Sequence, residues 1–491
     1  MPRLSTTTLG QAASGVLRPA YDRARLTPGI VHLGIGAFHR AHMAVYVDDL
    51  LQAHPDWAIV GASLRRPDTK DALAPQDFLY TVAIRDASGT ACRVIGSVLD
   101  VLDANTQREE LLALMAHPSI RIVSLTVTEK GYCHDPATGA LDEDHPDILH
   151  DLDNPGEPVS APGIIVEALE RRRRAGIVPF TVMSCDNLPN NGETTKRIVT
   201  RFADLRSPEL HTFVRDKVAF PSTMVDRIVP ATTDADRALV TELTGLEDAW
   251  PIMTEPFIQW VVEDDFVGGD RPPFETVGAQ MVEEVEPYEL MKLRMLNGSH
   301  STLAYLGYLA GHQYVSDAVG DPAILQLIHG LMTDEVIPTL PMPRADLEDY
   351  RDRLLERFAN PALKHRTWQI AMDGSQKLPQ RLLNTIRDRL KAGQGITRLS
   401  LGVAAWMRYV TGIDEKGAPI DVKDPLATRL REIADAAGRD ADALLHGLLG
   451  VGEVFGIDLP EHAGFRDAVT AHLRALFADG AAATVKRLVG G

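Results

Sequence analysis

Gly29-Ile-Val-His-Leu33, followed at once by Gly34-Ile-Gly-Ala-Phe-His-Arg40, is the stretch that decides the fold class of this chain. The apolar run predicts a buried strand, and the glycines predict a tight turn that opens a helix. A strand, a glycine-rich turn and a helix N-terminus together can hold the pyrophosphate of a dinucleotide. The third glycine of the usual G-x-G-x-x-G pattern is replaced by His39. The residues predicted to contact the cofactor are Gly34, Ile35, Gly36, Ala37, Phe38 and Arg40.

Apolar runs and helical patterns alternate on both sides of this motif. Further strands are predicted at residues 57–62, 120–127 and 178–183, and helices at residues 40–53 and 164–174. Such alternation is typical of a parallel sheet with crossover helices. From about Pro287 the pattern is almost all helical, with helices predicted at residues 289–309, 324–337, 346–358, 378–391 and 396–410.

The length of 491 residues is too great for one hydrophobic core. We therefore predict an α/β protein with a Rossmann-type dinucleotide-binding domain at residues 1–285. A mostly α-helical substrate and catalytic domain is predicted at residues 286–491, with a cleft between the two domains.

Charge and cysteine content narrow the class of protein. The formal net charge is −18, which disfavours binding to nucleic acid and to anionic membrane surfaces. Three widely spaced cysteines predict neither a disulfide framework nor a zinc knuckle, and they fit a reducing compartment. No signal peptide and no membrane-spanning run is predicted, so we expect a cytoplasmic protein.

The end of the second predicted strand bears on which dinucleotide binds. Ser63-Leu-Arg-Arg-Pro-Asp68 lies where the adenosine ribose is usually recognised. Asp68 could accept hydrogen bonds from the ribose hydroxyls and favour NAD, whereas Arg65 and Arg66 could hold the 2′-phosphate of NADP. We expect NAD, with NADP as the alternative.

A second polar motif, Lys292-Leu-Arg-Met-Leu-Asn-Gly-Ser-His300, opens the helical half. At 3.6 residues per turn, Lys292, Asn297 and His300 lie within an arc of about 140° and can converge on one small ligand. Hydride transfer from an alcohol needs a base for the hydroxyl proton and donors for the developing carbonyl oxygen. Burial favours a neutral lysine amine, which can serve as that base. The chain contains no His-Glu-x-x-His motif and no Cys-rich ligand set, so no metal is predicted.

At these residues the chain resembles the mannitol dehydrogenase family of polyol-specific long-chain dehydrogenases. Lysine, asparagine five residues on and histidine eight residues on match its pattern, and the resemblance covers essentially the whole chain. Other matching blocks are Gly34-Ile-Gly-Ala-Phe-His-Arg-Ala-His42, Thr126-Val-Thr-Glu-Lys-Gly-Tyr132, Ser184-Cys-Asp-Asn187, Phe220-Pro-Ser-Thr-Met-Val-Asp-Arg-Ile228 and Glu255-Pro-Phe257.

The resemblance implies roles for individual residues. Lys292 would be the general base, Asn187 and Asn297 would polarise the reacting oxygen, and His300 would bind and orient the substrate. Glu129 and Glu289 match acidic positions suspected of passing protons to water, and Asp226 matches a position near the cofactor or the site. The resemblance further implies a site between the two domains, in a monomer or loose homo-oligomer.

The stretch His365-Arg-Thr-Trp-Gln-Ile-Ala-Met-Asp-Gly-Ser-Gln-Lys-Leu-Pro-Gln-Arg381 bears on substrate choice. It resembles the fructuronate reductase (D-mannonate oxidoreductase) branch, and mannitol-oxidising members carry arginine where this chain has Gln369. Lys377 is shared by both branches and would contact substrate hydroxyls. A sugar-acid carboxylate needs a cationic partner, for which Arg366, Lys377 and Arg381 are candidates, although Arg366 and Arg381 could equally form structural ion pairs.

These residues lead us to expect the reversible NAD-dependent oxidation of D-mannonate to D-fructuronate without a metal. Oxidation of mannitol or another polyol to a ketose is an alternative within the family. A non-catalytic sensor that binds NAD and a sugar acid is an alternative from another class. The intact set Lys292, Asn297 and His300 argues against the sensor, since binding alone does not require a buried lysine.

Overall fold

Five parallel strands form the central sheet of the first half of the chain. The computed structural model describes residues 1–135 and 138–490, so Gly491, the end of the predicted second domain, lies outside it. The chain divides into two compact units, Met1–Glu286 and Pro287–Gly491. The strands, in chain order, are β1 (Pro28–Leu33), β2 (Ala58–Ser63), β3 (Tyr80–Asp86), β4 (Gly89–Ile95), β5 (Val98–Asp103), β6 (Ile122–Leu125), β7 (Thr181–Ser184), β8 (Thr223–Asp226), β9 (Ile252–Thr254), β10 (Gln259–Glu263) and β11 (Gln280–Val282).

The central sheet has the order β5-β2-β1-β6-β7 and confirms the predicted Rossmann-type fold. Val31 of β1 pairs in parallel with Val60 of β2 on one side and with Val123 of β6 on the other. Strand β1 is therefore the point at which the strand order changes direction, and ligands of open α/β sheets bind beyond the carboxyl ends of the strands at such a point. The four predicted strands are confirmed as β1, β2, β6 and β7.

Two three-stranded sheets, β11-β10-β8 and β4-β3-β9, complete the strands of the first unit. Its helices are α1 (Ala37–Ala41), α2 (Met43–Leu50), α3 (Asp68–Leu73), α4 (Arg108–Ala116), α5 (Pro146–Asp153), α6 (Ala161–Ala175), α7 (Asn191–Arg206), α8 (Pro208–Lys217) and α9 (Asp234–Thr244). The predicted helix at 164–174 is confirmed as α6, which ends at Gly176 in the left-handed conformation.

The single helix predicted at residues 40–53 is wrong. The structure has two helices there, α1 and α2, because His42 between them leaves the helical conformation at φ −121° and ψ −95°. The His42 ring is buried and its Nε2 lies 2.8 Å from the carbonyl oxygen of Gln259 on β10. A tertiary contact thus overrides local helix propensity at this residue.

The second unit is helical, as predicted. Its helices are α10 (Glu286–Met291), α11 (Gly298–Leu309), α12 (Val315–Val319), α13 (Pro322–Gly330), α14 (Arg344–Phe358), α15 (Thr367–Ile370), α16 (Gly374–Leu378), α17 (Asn384–Lys391), α18 (Thr397–Tyr409), α19 (Ala427–Ala437), α20 (Ala441–Leu449), α21 (Gly452–Phe455) and α22 (Ala463–Gly490), the last kinked at Gly480. Within the described ranges, no helix combines the length and apolarity needed to cross a membrane.

Three segments of the second unit depart from α-helical winding. Lys292–Asn297, Leu331–Val336 and Pro379–Leu383 are π-helical, with hydrogen bonds between residues five apart. The continuous α-helices predicted at 289–309, 324–337 and 378–391 are therefore wrong within these segments. Each π turn accommodates one extra residue, which a periodicity of 3.6 cannot register.

Candidate active site

The glycine-rich turn after β1 has the backbone geometry that a dinucleotide requires. Gly34 has φ +87°, and a Cβ there would lie 2.3 Å from the carbonyl oxygen of Thr126, so glycine is required by the protein itself. Gly36 is exposed, and the nearest atom to a Cβ built on it is 3.8 Å away. The space beside Gly36 is thus open for a ligand, as the second glycine of such turns requires. The turn therefore fits a pyrophosphate.

Side chains beneath the turn fix its shape. Ile35 is buried over Gly61 of β2, where an added Cβ would lie 2.3 Å from the Ile35 side chain. Arg40 is 1% exposed, and its guanidinium donates to the carbonyl oxygens of Gly36 and Trp250. These bonds favour a role for Arg40 in holding the turn. Ala37 and Phe38 are half-buried at the start of α1.

His39 occupies the position of the missing third glycine. Its ring stacks on His32 of β1, with ring centroids 3.4 Å apart. The ring is buried, and within the described structure neither of its nitrogens has a hydrogen-bond partner. Burial, aided by neighbouring histidines and Arg40, lowers its pKa well below the ordinary value. A neutral imidazole thus stands where other dinucleotide folds place a glycine against the strand.

The end of β2 leaves the choice of dinucleotide open. Asp68 begins α3 and lies 3.4 Å from the guanidinium of Arg66 in an exposed ion pair. Arg65 is also exposed. A carboxylate and two cations are therefore all available to a ligand beyond this strand.

Asp186 organises the loops that follow β6 and β7. Its carboxylate accepts hydrogen bonds from the backbone amides of Val127 and Thr128 at 2.9 and 3.0 Å, and from the Tyr132 hydroxyl at 2.9 Å. The turn Glu129–Tyr132 and the next residue after Asp186, Asn187, are thereby tied to one carboxylate. Glu129 and Asn187 are both exposed. Burial raises the pKa of Asp186, while its hydrogen bonds act in the opposite direction.

Asp226, the remaining candidate of the first unit, ends strand β8. It is 4% exposed and pairs in register with Gln259 of β10. Its backbone is thus fixed by the pairing of β8 with β10, and its side chain is buried.

In the second unit, Lys292 and Asn297 are the first and last residues of the first π segment. The amide of Gly298 donates to the carbonyl of Leu293, five residues back, which is the hydrogen bond of a π turn. Five residues close one such turn, so Lys292 and Asn297 share a face more closely than α-helical winding would allow. Lys292 is 9% exposed, and Asn297 is half-buried. Glu289, one turn before Lys292 on α10, is half-buried as well.

His300 lies in the first turn of α11 and is 6% exposed. Its Nε2 is buried without a hydrogen-bond partner within residues 1–135 and 138–490. The ring packs against Phe358 and His365, with centroid separations of 4.5 and 5.2 Å. Burial, aided by His365, Arg381 and Arg357, lowers the pKa of His300 well below its ordinary value. His300 is thus a neutral imidazole at neutral pH and can donate or accept a single hydrogen bond at each nitrogen.

The predicted substrate-binding residues differ in their environments. Arg381 is half-buried in the third π segment. Its Nη1 donates a hydrogen bond to Oγ of Ser301, the residue after His300, at 3.1 Å. Lys377 is also half-buried and donates to the carbonyl of Met372 at 2.6 Å. Arg366 is exposed, with its guanidinium 5.7 Å from the centre of the Tyr314 ring. Gln369 is exposed one turn further along.

Three residues of structural importance carried no role in the sequence analysis. Asp186 holds the loop after β6, and His365 packs against His300. A Cβ on Gly298 would lie 2.8 Å from the carbonyl oxygen of Arg381, so glycine here lets the first and third π segments approach closely. The lysine-to-asparagine spacing of five, followed by glycine, was the one sequence signal available for this arrangement.

Comparison with known proteins gives matches over nearly the whole chain. Residues 28–276 match the family model of the mannitol dehydrogenase Rossmann domain, and residues 284–477 match that of the mannitol dehydrogenase C-terminal domain. An uncharacterized oxidoreductase of Escherichia coli, YeiQ, is 52% identical over 92% of each chain. The D-mannonate oxidoreductase of Escherichia coli is 49% identical over 98% of this chain and 100% of that protein. The mannitol 2-dehydrogenase of Pseudomonas fluorescens, solved in ternary complex with NAD and D-mannitol, is 41% identical, with a TM-score of 0.89 over 99% of each chain.

Proposed function

The chain belongs to the mannitol dehydrogenase family, and from this membership we propose that it catalyses the reversible NAD-dependent oxidation of D-mannonate to D-fructuronate. Family membership itself makes the chain an oxidoreductase that acts on a CH–OH group. A nicotinamide cofactor is supported by the Rossmann-domain match and by the structural neighbour that contains NAD. The choice of sugar acid and of NAD over NADP is the proposed part.

The buried Lys292 on the π turn that it shares with Asn297 is the single observation that carries the mechanism. In the oxidation direction, the neutral Lys292 amine accepts the proton of the substrate hydroxyl. Asn297 and Asn187 donate hydrogen bonds to the oxygen as it becomes a carbonyl, which stabilises its developing charge. Bound NAD supplies the acceptor for the hydride that leaves the same carbon.

His300 orients the substrate through hydrogen bonding, because its burial keeps the ring neutral. Its unpartnered Nε2 is a polar atom that a ligand oxygen or a water can satisfy. Glu129 and Glu289 are proposed to pass the proton from the lysine to water. No metal takes part in these steps.

Arg381 is the better of the two arginine candidates for the substrate carboxylate. It is half-buried and bonded to Ser301, beside His300, whereas Arg366 is exposed and stacked on Tyr314. A partly desolvated guanidinium binds a carboxylate more strongly than an exposed one, because water competes less. Lys377 is proposed to contact substrate hydroxyls.

The alternative within the family is oxidation of mannitol or another uncharged polyol. The full-length similarity to mannitol 2-dehydrogenase favours it. Gln369 favours a sugar acid as the substrate, since mannitol-oxidising members of the family carry arginine at that position. The structure places Gln369 on the exposed side of α15, so its influence would be exerted at the surface of the second unit.

The deciding experiment measures NADH oxidation with D-fructuronate and with D-fructose under identical conditions. We expect a kcat/KM at least tenfold higher for fructuronate. A preference for fructose would refute the sugar-acid proposal and establish the polyol alternative. Repeating the comparison with NADPH tests the proposed preference for NAD over NADP.

Two matched variants then test the carboxylate contact. Arg381→Gln should lower kcat/KM for fructuronate by roughly 10- to 100-fold, the worth of a charge-assisted hydrogen bond. Arg366→Gln should stay near the wild-type value, and neither variant should change the rate with fructose by a comparable factor. Equal losses with both sugars for Arg381→Gln would instead assign that arginine to the structure of the π segment.

A further inference from the structure

A thiol, an imidazole and a carboxylate converge in the first unit. Cys133 follows the turn Glu129–Tyr132 and is buried, whereas His145 and Asp147 are half-buried at the start of α5. One ligand atom from each of the three residues lies within 4.8 Å of the others. His145 and Asp147 follow Cys133 by 12 and 14 positions, so no short sequence motif contains all three residues.

The backbone holds the two segments together. The amide of Asp142 donates to the carbonyl of Cys133 at 2.9 Å, and the amide of His145 donates to the carbonyl of Asp142 at 3.1 Å. Cys133 itself adopts the left-handed conformation at φ +50°, which is uncommon for a residue with a side chain. A left-handed cysteine is a local cost that a metal bond would offset.

Sulfur, nitrogen and oxygen donors of these types are the ligands that zinc binds in proteins. Around a tetrahedral zinc ion such atoms lie roughly 3.3–3.8 Å apart, so small side-chain rotations would close the group around an ion. A thiolate and a carboxylate also neutralise the two positive charges of zinc. The N-terminus of α5, which disfavours a net cation, would then face a neutral set.

We propose that Cys133, His145 and Asp147 bind one zinc ion, with water in the fourth position, and none of the three belongs to the residues proposed for hydride transfer. Binding displaces the thiol proton to solvent, and no electron is transferred. His145 Nδ1 accepts a hydrogen bond from the amide of Asp147 at 3.2 Å, so coordination through Nδ1 would break that helix cap, whereas coordination through Nε2 would leave it in place. Because zinc binds the thiolate and releases the thiol proton, zinc affinity should rise with pH.

Tyr132 links the proposed zinc site to the loops that follow β6 and β7. Tyr132 precedes Cys133 and donates to Asp186, which in turn holds the backbone of Val127 and Thr128. Metal occupancy should therefore slow amide hydrogen exchange across residues 129–135 and 138–147. That readout is independent of turnover.

The test uses the full-length, tag-free protein after dialysis against a chelator, with Co²⁺ as a spectroscopic substitute for zinc. We expect one equivalent of Co²⁺ to produce a thiolate-to-cobalt charge-transfer band and the visible bands of a tetrahedral site. Zinc should abolish both with a dissociation constant of roughly 1 μM or below. Cobalt spectra without a thiolate band would overturn the proposal.

Variants locate the metal. Cys133→Ser should abolish the charge-transfer band, and Asp147→Asn, which keeps the shape of the side chain and the thiol, should weaken zinc by more than roughly 10-fold. Cys92→Ser, a change at another buried cysteine, should leave binding unchanged. Wild-type affinity in both Cys133→Ser and Asp147→Asn would refute the site. The dialysed protein should keep full turnover. If the proposed function is wrong, the turnover assay fails while the metal-binding measurements still test the zinc site.

Discussion

At the scale of the single residue, Lys292 is the side chain on which the proposed chemistry depends. Lys292→Met keeps an unbranched side chain that is one atom shorter and removes its ability to accept a proton. We expect kcat to fall by roughly 10²- to 10⁴-fold, the usual contribution of a general base. NADH binding, followed by nicotinamide fluorescence, should stay within about twofold, because the dinucleotide turn belongs to the first unit.

Lys391→Met is the matched control, since Lys391 is an exposed lysine at the end of α17 in the same unit. It should behave as the wild type. The oxidation rate of the wild type should rise with pH through one ionisation, and the residual rate of Lys292→Met should lose that step. Loss of NADH binding in Lys292→Met would contradict the assignment of the base.

Sequence reasoning at the residue scale could group side chains that are close along the chain, and it missed those whose position depends on distant contacts. Lys292, Asn297 and His300 are close in sequence, so their grouping could be predicted. Asp186 is structurally important because it accepts hydrogen bonds from the amides of Val127 and Thr128, which are 59 and 58 positions away. No local pattern contains that information, and the same holds for His365 against His300.

At the scale of the secondary-structure element, a deletion can test whether the π turn at Lys292–Asn297 aligns these two side chains. Deleting Leu290, which precedes the segment on α10, removes the extra residue and should return the segment to α-helical winding. Lys292 and Asn297 then stay five positions apart and diverge by about 140° around the helix axis. We expect a loss of kcat as large as that of Lys292→Met. Far-UV circular dichroism should remain that of the wild type, because the surrounding helices α10 and α11 persist.

Leu290→Ala controls for the loss of the side chain without changing the length of the helix. It should retain most of the wild-type kcat, since Leu290 is half-buried and two positions from Lys292, so the two side chains do not share a face of the helix. A deletion variant with wild-type kcat would show that the π turn does not align the catalytic residues.

Strands and helices could be predicted where their burial produces a recognisable pattern of apolar residues in the sequence. The strands β1, β2, β6 and β7 are buried on both faces, so each is a continuous apolar run that stands out. The hairpin of β3 and β4 was missed because its outer half is partly exposed and mixed in composition. The break at His42 was missed because its cause lies 217 residues away at Gln259.

At the scale of the whole molecule, an acidic chain with buried neutral histidines should lose stability as the pH falls. His39 in the first unit is the clearest case. Its pKa in the folded state lies well below the ordinary value, whereas a histidine in the unfolded chain has a pKa of about 6.5. Below that pH the unfolded chain binds a proton at His39 that the folded chain does not bind. The free energy of unfolding should therefore fall by up to about 1.4 kcal/mol per pH unit from this residue alone.

His39→Phe isolates this contribution, because the phenyl ring can keep the stacking on His32 and cannot be protonated. Urea unfolding of both proteins at pH 7.5, 6.0 and 5.0 gives the difference in free energy at each pH, in which all other titrating groups cancel. We expect that difference to grow steadily in favour of the variant as the pH drops below about 6.5. A difference that stays constant would mean that His39 is protonated equally in the folded and unfolded states, and its burial would then have to be compensated by a partner or a water at one of its ring nitrogens.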